Sequence, residues 1–313
     1  MSTRTESFYP SCDGVTSIHA VQWLPERQPV RGMVQIAHGV AEYALRYDAF
    51  AQMLCDHGFA VVANDHRSHG QSLIPNAPRI YFGEQNGWWD TVDDVETLRK
   101  TTAAAFPGVP YILFGHSMGS FLSRTHLIRY PGTVSACILC GTGNPSGFII
   151  QAGKWITDRE IRRLGRRAFS PIVDQLAFGN YNKKFKPNRT DCDWLSASED
   201  NVDAYIADPL CGGETTNGLF RDMLDGLSYI TNRKNLQSMD KDLPILLISG
   251  EADPVGDMGK GVRKAYQNFK KAGVRDVELK LYPGLRHEIL NERERETIYQ
   301  DILNFLDRKL NQA

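Results

Sequence analysis

Short, wholly apolar segments that alternate with helical patterns constrain the fold of this 313-residue chain more than any other feature. Residues 59–63 contain no polar side chain, and the apolar residues of 42–57 before them have helical spacing that ends at Gly58. Glycine is common just after a helix because it tolerates left-handed backbone. Strands without a polar face are buried on both sides, so the alternation predicts an α/β protein with a mostly parallel sheet covered by helices on both faces.

The same alternation predicts the remaining elements of the core. The predicted strands are 16–24, 31–37, 59–63, 109–114, 134–140, 243–249 and 277–281. The predicted helices are 42–57, 89–106, 118–129, 260–272 and 293–310. Only the turn 25–29 separates the first two strands, which predicts a hairpin between them.

The alternation stops between residues 144 and 240, where polar helical segments and loops replace apolar strands. A chain of this length exceeds the size at which one core usually stops growing. We therefore predict one α/β core made of residues 1–143 and 241–313. Residues 144–240 are expected to form a helical cap, or lid, inserted into that core.

Composition excludes several classes of protein. The 36 Lys and Arg residues balance 37 Asp and Glu residues, so the chain lacks the basic excess typical of nucleic-acid-binding proteins. The N-terminal residues lack the apolar segment of a secretory signal, and no run approaches the roughly 18 apolar residues of a membrane span. We expect a cytoplasmic protein with six reduced cysteines, and its oligomeric state stays open.

Two motifs suggest metal binding at first sight. Cys137 and Cys140 form a C-x-x-C pattern, but residues three apart on a strand point to opposite faces and cannot share a metal ion. Residues 65–72 include two histidines at a spacing that fits no standard metal site. We expect that segment to be a solvent-side loop in which Asp65 and Arg67 bind neighbouring backbone. No metal and no cofactor is predicted.

The segment Gly115-His116-Ser117-Met118-Gly119 follows a predicted strand and begins a predicted helix. This is the context of a nucleophile elbow, in which a sharp turn raises the serine hydroxyl above the edge of the sheet. Glycines two residues before and two after the serine allow the backbone to cross closely. Ser117 is therefore the predicted nucleophile.

A serine nucleophile needs a base that is held by an acid. His287 follows the strand 277–281 and is the only histidine beyond the predicted cap. Asp253 follows the strand 243–249 and is the preferred acid, with Glu251 as the alternative. Asp257 is expected to cap the helix that begins near residue 260. His116 is not a predicted base because adjacent side chains on a tight turn point apart.

An oxyanion hole needs backbone N–H groups that face the developing negative charge. Met118 follows the nucleophile and supplies one predicted donor. Val40 supplies the other, because it lies in the loop after the strand 31–37. His38 and Gly39 precede it and are expected to support this loop.

Five segments resemble the monoacylglycerol lipase and lysophospholipase branch of the α/β-hydrolases. They are HGVAEYALRY (38–47), DHRSHGQS (65–72), GHSMGS (115–120), GEAD (250–253) and GLRHE (284–288). The resemblance covers the core on both sides of the cap. It implies a Ser117–Asp253–His287 triad, an oxyanion hole at Val40 and Met118, and a helical cap over the site.

The chain departs from that family at Tyr43, where a histidine is common. This difference concerns the support of the oxyanion loop and leaves the triad intact. Glu42 and Arg46 remain and are spaced for an i,i+4 pair, which we interpret as structural.

The resemblance implies a serine ester hydrolase that cleaves the acyl ester of a monoacylglycerol-type lipid through an acyl-enzyme. A lysophospholipase or a general carboxylesterase would share every catalytic residue. Haloalkane dehalogenases and epoxide hydrolases use an aspartate nucleophile, so Ser117 argues against both. A non-catalytic binding protein is the alternative from another class, but such proteins commonly lose a triad member.

The basic segment 154–167 of the predicted cap has two interpretations. Its side chains could contact an anionic lipid surface or a phosphate-bearing headgroup transiently. We favour the other interpretation, in which apolar residues pack on the core and the basic face is solvated. Candidate acyl-tunnel residues in the cap are Phe178, Tyr181, Phe185, Trp194, Tyr205, Leu210 and Phe220.

Overall fold

The structure, a computed structural model, describes residues 2–26 and 29–310, and these contain one eight-stranded sheet. The strands are β1 (Ser2–Pro10), β2 (Ser17–Pro25), β3 (Gly32–Ala37), β4 (Phe59–Asn64), β5 (Tyr111–His116), β6 (Ala136–Cys140), β7 (Ile245–Gly250) and β8 (Val277–Tyr282). Their order across the sheet is β1-β2-β4-β3-β5-β6-β7-β8. β2 runs antiparallel to both β1 and β4, and every other neighbouring pair of strands is parallel. The predicted α/β-hydrolase fold class is therefore confirmed.

Helices cover both faces of this sheet. Those that alternate with the strands are α1 (Asp48–Asp56), α2 (Gly87–Ala105), α3 (Met118–Arg129), α9 (Lys260–Lys271) and α10 (Arg295–Leu310). The chain between β6 and β7 forms α4 (Gly147–Leu164), α5 (Pro171–Ala177), α6 (Glu199–Ala207), α7 (Asn217–Thr231) and α8 (Arg233–Leu236).

The predicted hairpin between the first two predicted strands is wrong. β4 lies between β2 and β3, with Trp23 of β2 paired to Val61 and Val34 of β3 paired to the same residue. Every residue of β4 is buried, so this strand gains most from a position with a neighbour on each side. β2 instead pairs with β1, which sequence analysis missed because its residues are mostly polar and exposed at the sheet edge.

The predicted helix 42–57 begins later than expected. A 3-10 turn spans Ala44–Tyr47, and α1 begins only at Asp48. The N–H of Ala44 donates to the Asp65 carboxylate at 2.8 Å. Tyr43 has extended backbone (φ −155°, ψ 169°). A side-chain acceptor thus replaces a helical hydrogen bond where sequence spacing alone suggested another helical turn.

The two faces of the sheet form two hydrophobic clusters. Cys137 packs in the cluster covered by α2, α3 and α9, and Cys140 packs in the one covered by α1 and α10. The two thiols therefore lie on opposite sides of β6, as the strand period requires. All six cysteines are free.

The loop 65–72 is almost entirely buried, so its predicted solvent-side position is wrong. Arg67 forms ion pairs with Asp13 and Asp90, and the segment before β2 therefore covers the loop. Asp65 binds neighbouring backbone as expected, accepting from the N–H groups of Ala44 and Gln71 at 2.8 Å each. The sequence does not indicate the burial of this loop, because the N-terminal strand β1 is mostly polar and has no apolar period.

Candidate active site

Ser117 lies between the last residue of β5 and the first residue of α3. Its backbone has φ 53° and ψ −122°, in the left-handed half of conformational space that L-residues seldom occupy. Its N–H donates to the carbonyl of Cys140 at 2.9 Å, which fixes the turn against β6. A Cβ at Gly119 would lie 2.0 Å from the carbonyl oxygen of Ala37, so only glycine allows this crossing. The turn has the geometry of a nucleophile elbow.

Asp253 and His287 meet at the carboxyl ends of β7 and β8. The Nδ1 atom of His287 lies 3.0 Å from Oδ2 of Asp253, and both side chains are buried. Oδ2 also accepts the Ser249 hydroxyl at 3.1 Å, and Oδ1 accepts the N–H of Val255 at 2.8 Å. The carboxylate is thereby fixed with one oxygen toward the imidazole, which favours a proton on Nδ1 and a free lone pair on Nε2.

The other two candidate acids lie away from this pair. The side chain of Glu251 is 52% exposed, and its nearest cation is Arg263 at 3.9 Å. Asp257 is exposed with φ 49°. The prediction that its side chain caps α9 is wrong. Residues 257–259 all have positive φ, whereas an N-cap side chain requires extended backbone. The N–H of Lys260 donates to the backbone carbonyl of Asp257 instead of to its side chain.

The two predicted oxyanion donors flank Ser117. Met118 is the first residue of α3, so its N–H has no acceptor within the helix. Val40 follows β3 and lines a cavity together with Ser117 and Met118. His38 stabilises this loop, since its Nε2 accepts the N–H of His66 at 2.9 Å and its Nδ1 donates to the carbonyl of Gly39 at 2.7 Å. Burial lowers the pKa of His38, consistent with a neutral ring.

A buried carboxylate, Glu42, connects the oxyanion loop to the nucleophile turn. It accepts the N–H of Gly39 at 2.5 Å, the Tyr47 hydroxyl at 2.8 Å and Nδ1 of His116 at 3.1 Å. Burial alone would raise its pKa, but hydrogen bonding and charge from His116, together with the charge of Arg46, hold the pKa of Glu42 well below its ordinary value. Glu42 is therefore a fixed anion beneath the loop.

The predicted Glu42–Arg46 pair exists, at 3.1 Å, but it belongs to a larger buried network. Arg46 also forms a bidentate pair with Glu288, at 2.7 and 2.9 Å. The ring of His116 lies 4.7 Å from that of His287 and 3.4 Å from its carbonyl oxygen. Burial alone would lower the pKa of His116. The hydrogen bond to Glu42 outweighs burial, so the pKa of His116 lies above its ordinary value. These links have no signal in the sequence, because the residues involved are far apart in the chain.

Two cavities meet at Ser117, and Val40, Phe178 and Trp194 line both. The small cavity, of about 300 Å³, also contains His287. The large cavity, of about 590 Å³, extends between α3, α7 and the start of α9. Among the candidate tunnel residues, Phe178, Tyr181 and Trp194 line the large cavity and Tyr205 lines the small one. Phe185, Leu210 and Phe220 line neither of these two cavities.

The favoured interpretation of the basic segment 154–167 is wrong in part. Four of its six basic residues form ion pairs: Lys154 with Asp225, Arg163 with Glu160, Arg166 with Asp222, and Arg167 with Glu84. Trp155, by contrast, is 63% exposed, and Phe148 at the start of α4 is 83% exposed. These side chains face outward because the opposite face of α4 packs closely on α7. A Cβ at Gly153 of α4 would lie 3.2 Å from the Leu224 side chain of α7. Gly153 and Thr157 are buried on that face together with Ile150, whereas Phe148, Ile149, Trp155 and Leu164 are exposed.

Over residues 2–26 and 29–310, no three His, Cys, Asp or Glu side chains are grouped so that they could hold a metal ion. Nor does any helix in these ranges have the length and apolar character needed to cross a membrane.

Comparison with known proteins identifies the family of this chain. The profile of the serine aminopeptidase S33 family matches residues 28–294. A monoacylglycerol lipase of Mycolicibacterium smegmatis is 31% identical over 97% of this chain and 98% of that protein. The human monoglyceride lipase is 27% identical over 86% of this chain and 79% of its own. A thermostable carboxyl esterase of Bacillus coagulans, 27% identical, superposes with a TM-score of 0.91 over 99% of this chain and all of that one. The chain thus belongs to the serine aminopeptidase S33 family and is a serine ester hydrolase with the α/β-hydrolase fold.

Proposed function

We propose that this protein hydrolyses the acyl ester of a monoacylglycerol through an acyl-enzyme on Ser117. One observation carries the proposal. Ser117 lies where a large, mainly apolar cavity meets a smaller one whose lining has a larger share of polar surface, and His287 of the Asp253–His287 pair lines the smaller cavity. An ester of a fatty acid with a small polyol likewise has an apolar alkyl chain on one side of its scissile bond and a polar alcohol on the other.

In the proposed reaction, His287 takes the proton of Ser117 as the hydroxyl oxygen attacks the ester carbonyl. Asp253 orients the imidazole and stabilises its charged form. The N–H groups of Val40 and Met118 stabilise the tetrahedral oxyanion. His287 then gives the proton to the departing glycerol oxygen. A water molecule, deprotonated by the same histidine, attacks the acyl-enzyme and releases the fatty acid.

The linings support assigning the acyl chain to the large cavity. Its apolar side chains include Phe121, Ile149, Leu176, Met223 and Leu227. These surfaces stabilise an alkyl chain in proportion to the apolar area removed from water, about 25 cal/mol per Å².

The small cavity is suited to a neutral alcohol. Asp174 and Asp191 line it, and none of the described residues around it is a lysine or an arginine. A phosphate there would face carboxylates without a cation to pair with, which is costly. This charge distribution favours glycerol over the headgroup of a lysophospholipid.

Fatty-acid release from a chain-length panel of monoacylglycerols and matched lysophosphatidylcholines tests the substrate class. We expect faster turnover of the neutral lipids, with Ser117→Ala as the blank. Faster turnover of the phospholipids would contradict the proposal and direct attention to Lys260 and Lys264, which line the large cavity. Cleavage of short soluble esters alone would indicate a general carboxylesterase.

The triad assignment has its own test. Ser117→Ala and His287→Ala should each lower ester hydrolysis by several orders of magnitude, because neither the nucleophile nor its base has a substitute in the site. Melting curves should stay close to that of the parent protein. Substantial turnover by either folded variant would refute the assignment.

We further propose that residues 144–240 act as a cap whose outer surface touches lipid. Phe148, Ile149 and Trp155 of α4 and Ile172 and Leu176 of α5 are exposed apolar side chains. Ile149 and Leu176 also line the large cavity, so this surface is continuous with the route to Ser117.

Vesicle sedimentation tests that contact. Phe148→Ser/Trp155→Ser should weaken binding to phosphatidylcholine vesicles and leave hydrolysis of a soluble ester unchanged. The matched control is Phe8→Ser/Val15→Ser, which removes two exposed apolar side chains that lie outside residues 144–240. Equal binding by both double variants would contradict the assignment.

A further inference from the structure

The oxyanion loop is held from two sides, and the second side belongs to the segment between β6 and β7. On the core side, Glu42 accepts the N–H of Gly39 at 2.5 Å. On the other side, the carbonyl of Ala41 accepts the N–H of Gly212 at 2.9 Å and the hydroxyl of Tyr205 at 3.2 Å. Val40 lies between these two anchors, so its N–H direction depends on both.

Ala41 needs such support. Its φ is 57°, a left-handed conformation that costs a non-glycine residue free energy and persists where surrounding contacts fix it. The Gly212 N–H also lies 3.1 Å from the Tyr205 hydroxyl, which closes a triangle of hydrogen bonds around the Ala41 carbonyl. Residues 205–212 therefore hold the carbonyl of the strained residue next to the proposed donor.

Tyr43 provides a second connection between the same two segments. Its hydroxyl donates to Oδ2 of Asp208 at 2.8 Å, and Oδ1 of Asp208 accepts the N–H of Leu210 at 2.8 Å. Tyr43 stands where the resembling family commonly has histidine. Arg46 also lies 5.0 Å from the centre of the Tyr205 ring.

We propose that residues 205–212, called here the clamp, set the position of the Val40 N–H, with Tyr43, Tyr205 and Asp208 as positioning residues. The inference rests on the proposed acyl transfer at Ser117, in which Val40 is an oxyanion donor. The clamp touches neither the acyl chain nor the nucleophile in this scheme, and although Tyr205 and Gly212 line the small cavity, Tyr205→Phe keeps the ring in place. Loosening of the clamp should therefore weaken stabilisation of the transition state more than binding of the ground state.

The test uses Tyr43→Phe and Tyr205→Phe, each of which removes one hydroxyl. Complete loss of an oxyanion donor lowers kcat by about 100- to 1,000-fold in serine hydrolases. We expect about a tenfold fall in kcat for each single variant on p-nitrophenyl butyrate, approaching 100-fold in the double variant. KM should stay within about twofold, because the clamp acts on the developing charge.

A boronic acid supplies an independent readout, since its adduct with Ser117 is tetrahedral. Its inhibition constant should rise in parallel with the loss of kcat/KM. Asp208→Asn should keep most of the activity, because its amide can donate to the Tyr43 hydroxyl while its carbonyl still accepts from Leu210. Activity retained by Asp208→Asn would show that the hydrogen bond to Tyr43, rather than the charge of Asp208, positions the loop.

Tyr9→Phe is the matched control, because the hydroxyl of Tyr9 makes one partly buried hydrogen bond to the carbonyl of Asp94 at 2.9 Å, remote from the site. The inference is overturned if Tyr43→Phe and Tyr205→Phe both match Tyr9→Phe in kcat, or if they raise KM at unchanged kcat. Ser117→Ala run beside them separates the two proposals. An active Ser117→Ala refutes the acyl-transfer scheme itself, whereas an inactive one with fully active clamp variants refutes only the clamp.

Discussion

Replacing Asp253 by asparagine should nearly abolish activity while the fold is retained. The reason is the set of hydrogen bonds around the side chain. Oδ1 accepts the N–H of Val255 at 2.8 Å, and a backbone N–H cannot rotate to become an acceptor. In Asp253→Asn the amide oxygen must therefore face Val255, which directs the NH₂ group toward His287 and Ser249. The serine hydroxyl can reverse its role, but the imidazole must then accept at Nδ1.

That tautomer carries its proton on Nε2 and cannot take the proton of Ser117. The opposite amide orientation would leave the Val255 N–H unsatisfied, at a cost of about 1–3 kcal/mol. Because 1.4 kcal/mol corresponds to a tenfold change in an equilibrium constant, this cost lowers the population of the competent tautomer about 5- to 150-fold. Losing the carboxylate that stabilises the imidazolium lowers the rate further. We expect a total fall in kcat of about 10⁴-fold, as for the same change in a serine protease.

Initial rates on p-nitrophenyl butyrate at pH 7.5 measure the effect, with melting curves to verify folding. Glu251→Gln is the matched control, because it neutralises a neighbouring carboxylate that is half exposed. We expect it to retain activity within about twofold. If Glu251→Gln lost activity and a folded Asp253→Asn kept more than about a tenth of it, the assignment of the acid would be refuted.

Two further predictions concern the oxyanion loop and pH. Gly39→Ala should lower kcat at least 100-fold, because the added Cβ would lie 2.5 Å from Oε1 of Glu42 and 3.1 Å from Cβ of Ser117. Gly147→Ala, which meets no atom within 4 Å, is its control, and equal rates for the two would contradict the argument. Burial raises the pKa of Asp94 to about 6, against about 3.9 in an unfolded chain. Its contribution to stability is therefore full below pH 4 and is lost as the pH rises through 6. The Tm of Asp94→Asn relative to the parent should thus increase between pH 4 and pH 7, and a pH-independent difference would contradict it.

Elements with strong local signals were predicted well. The helix predicted at 118–129 has those bounds in the structure, and the apolar strand predicted at 59–63 differs from β4 by one residue. Pairing was harder to predict, because the hairpin expected between β2 and β3 loses to insertion of β4 between them. β1 was missed because an exposed edge strand of mostly polar residues has no apolar period.

For the site, the order of motifs along the chain was sufficient to name Ser117, Asp253 and His287 as candidates. The structure brings the last two within 3.0 Å of each other and puts all three at one edge of the sheet. The roles of these residues remain proposals for the variants above to test. The helical character of the segment between β6 and β7 was also predicted, although its assignment as a cap is a functional proposal.

Interactions between near neighbours in the chain specify the strand and helix periods, the serine turn and the order of the candidate triad, so these features can be predicted from the sequence. Interactions between distant residues are visible only in the folded protein. Glu42, Arg46, His116 and Glu288 form one buried network from three parts of the chain. The outward position of Phe148 and Trp155 follows from close packing of α4 on α7. Ala41 keeps its strained backbone through contacts about 165 residues away in the chain. Such contacts have no local period to detect, because burial and hydrogen bonding select them only once the chain has folded.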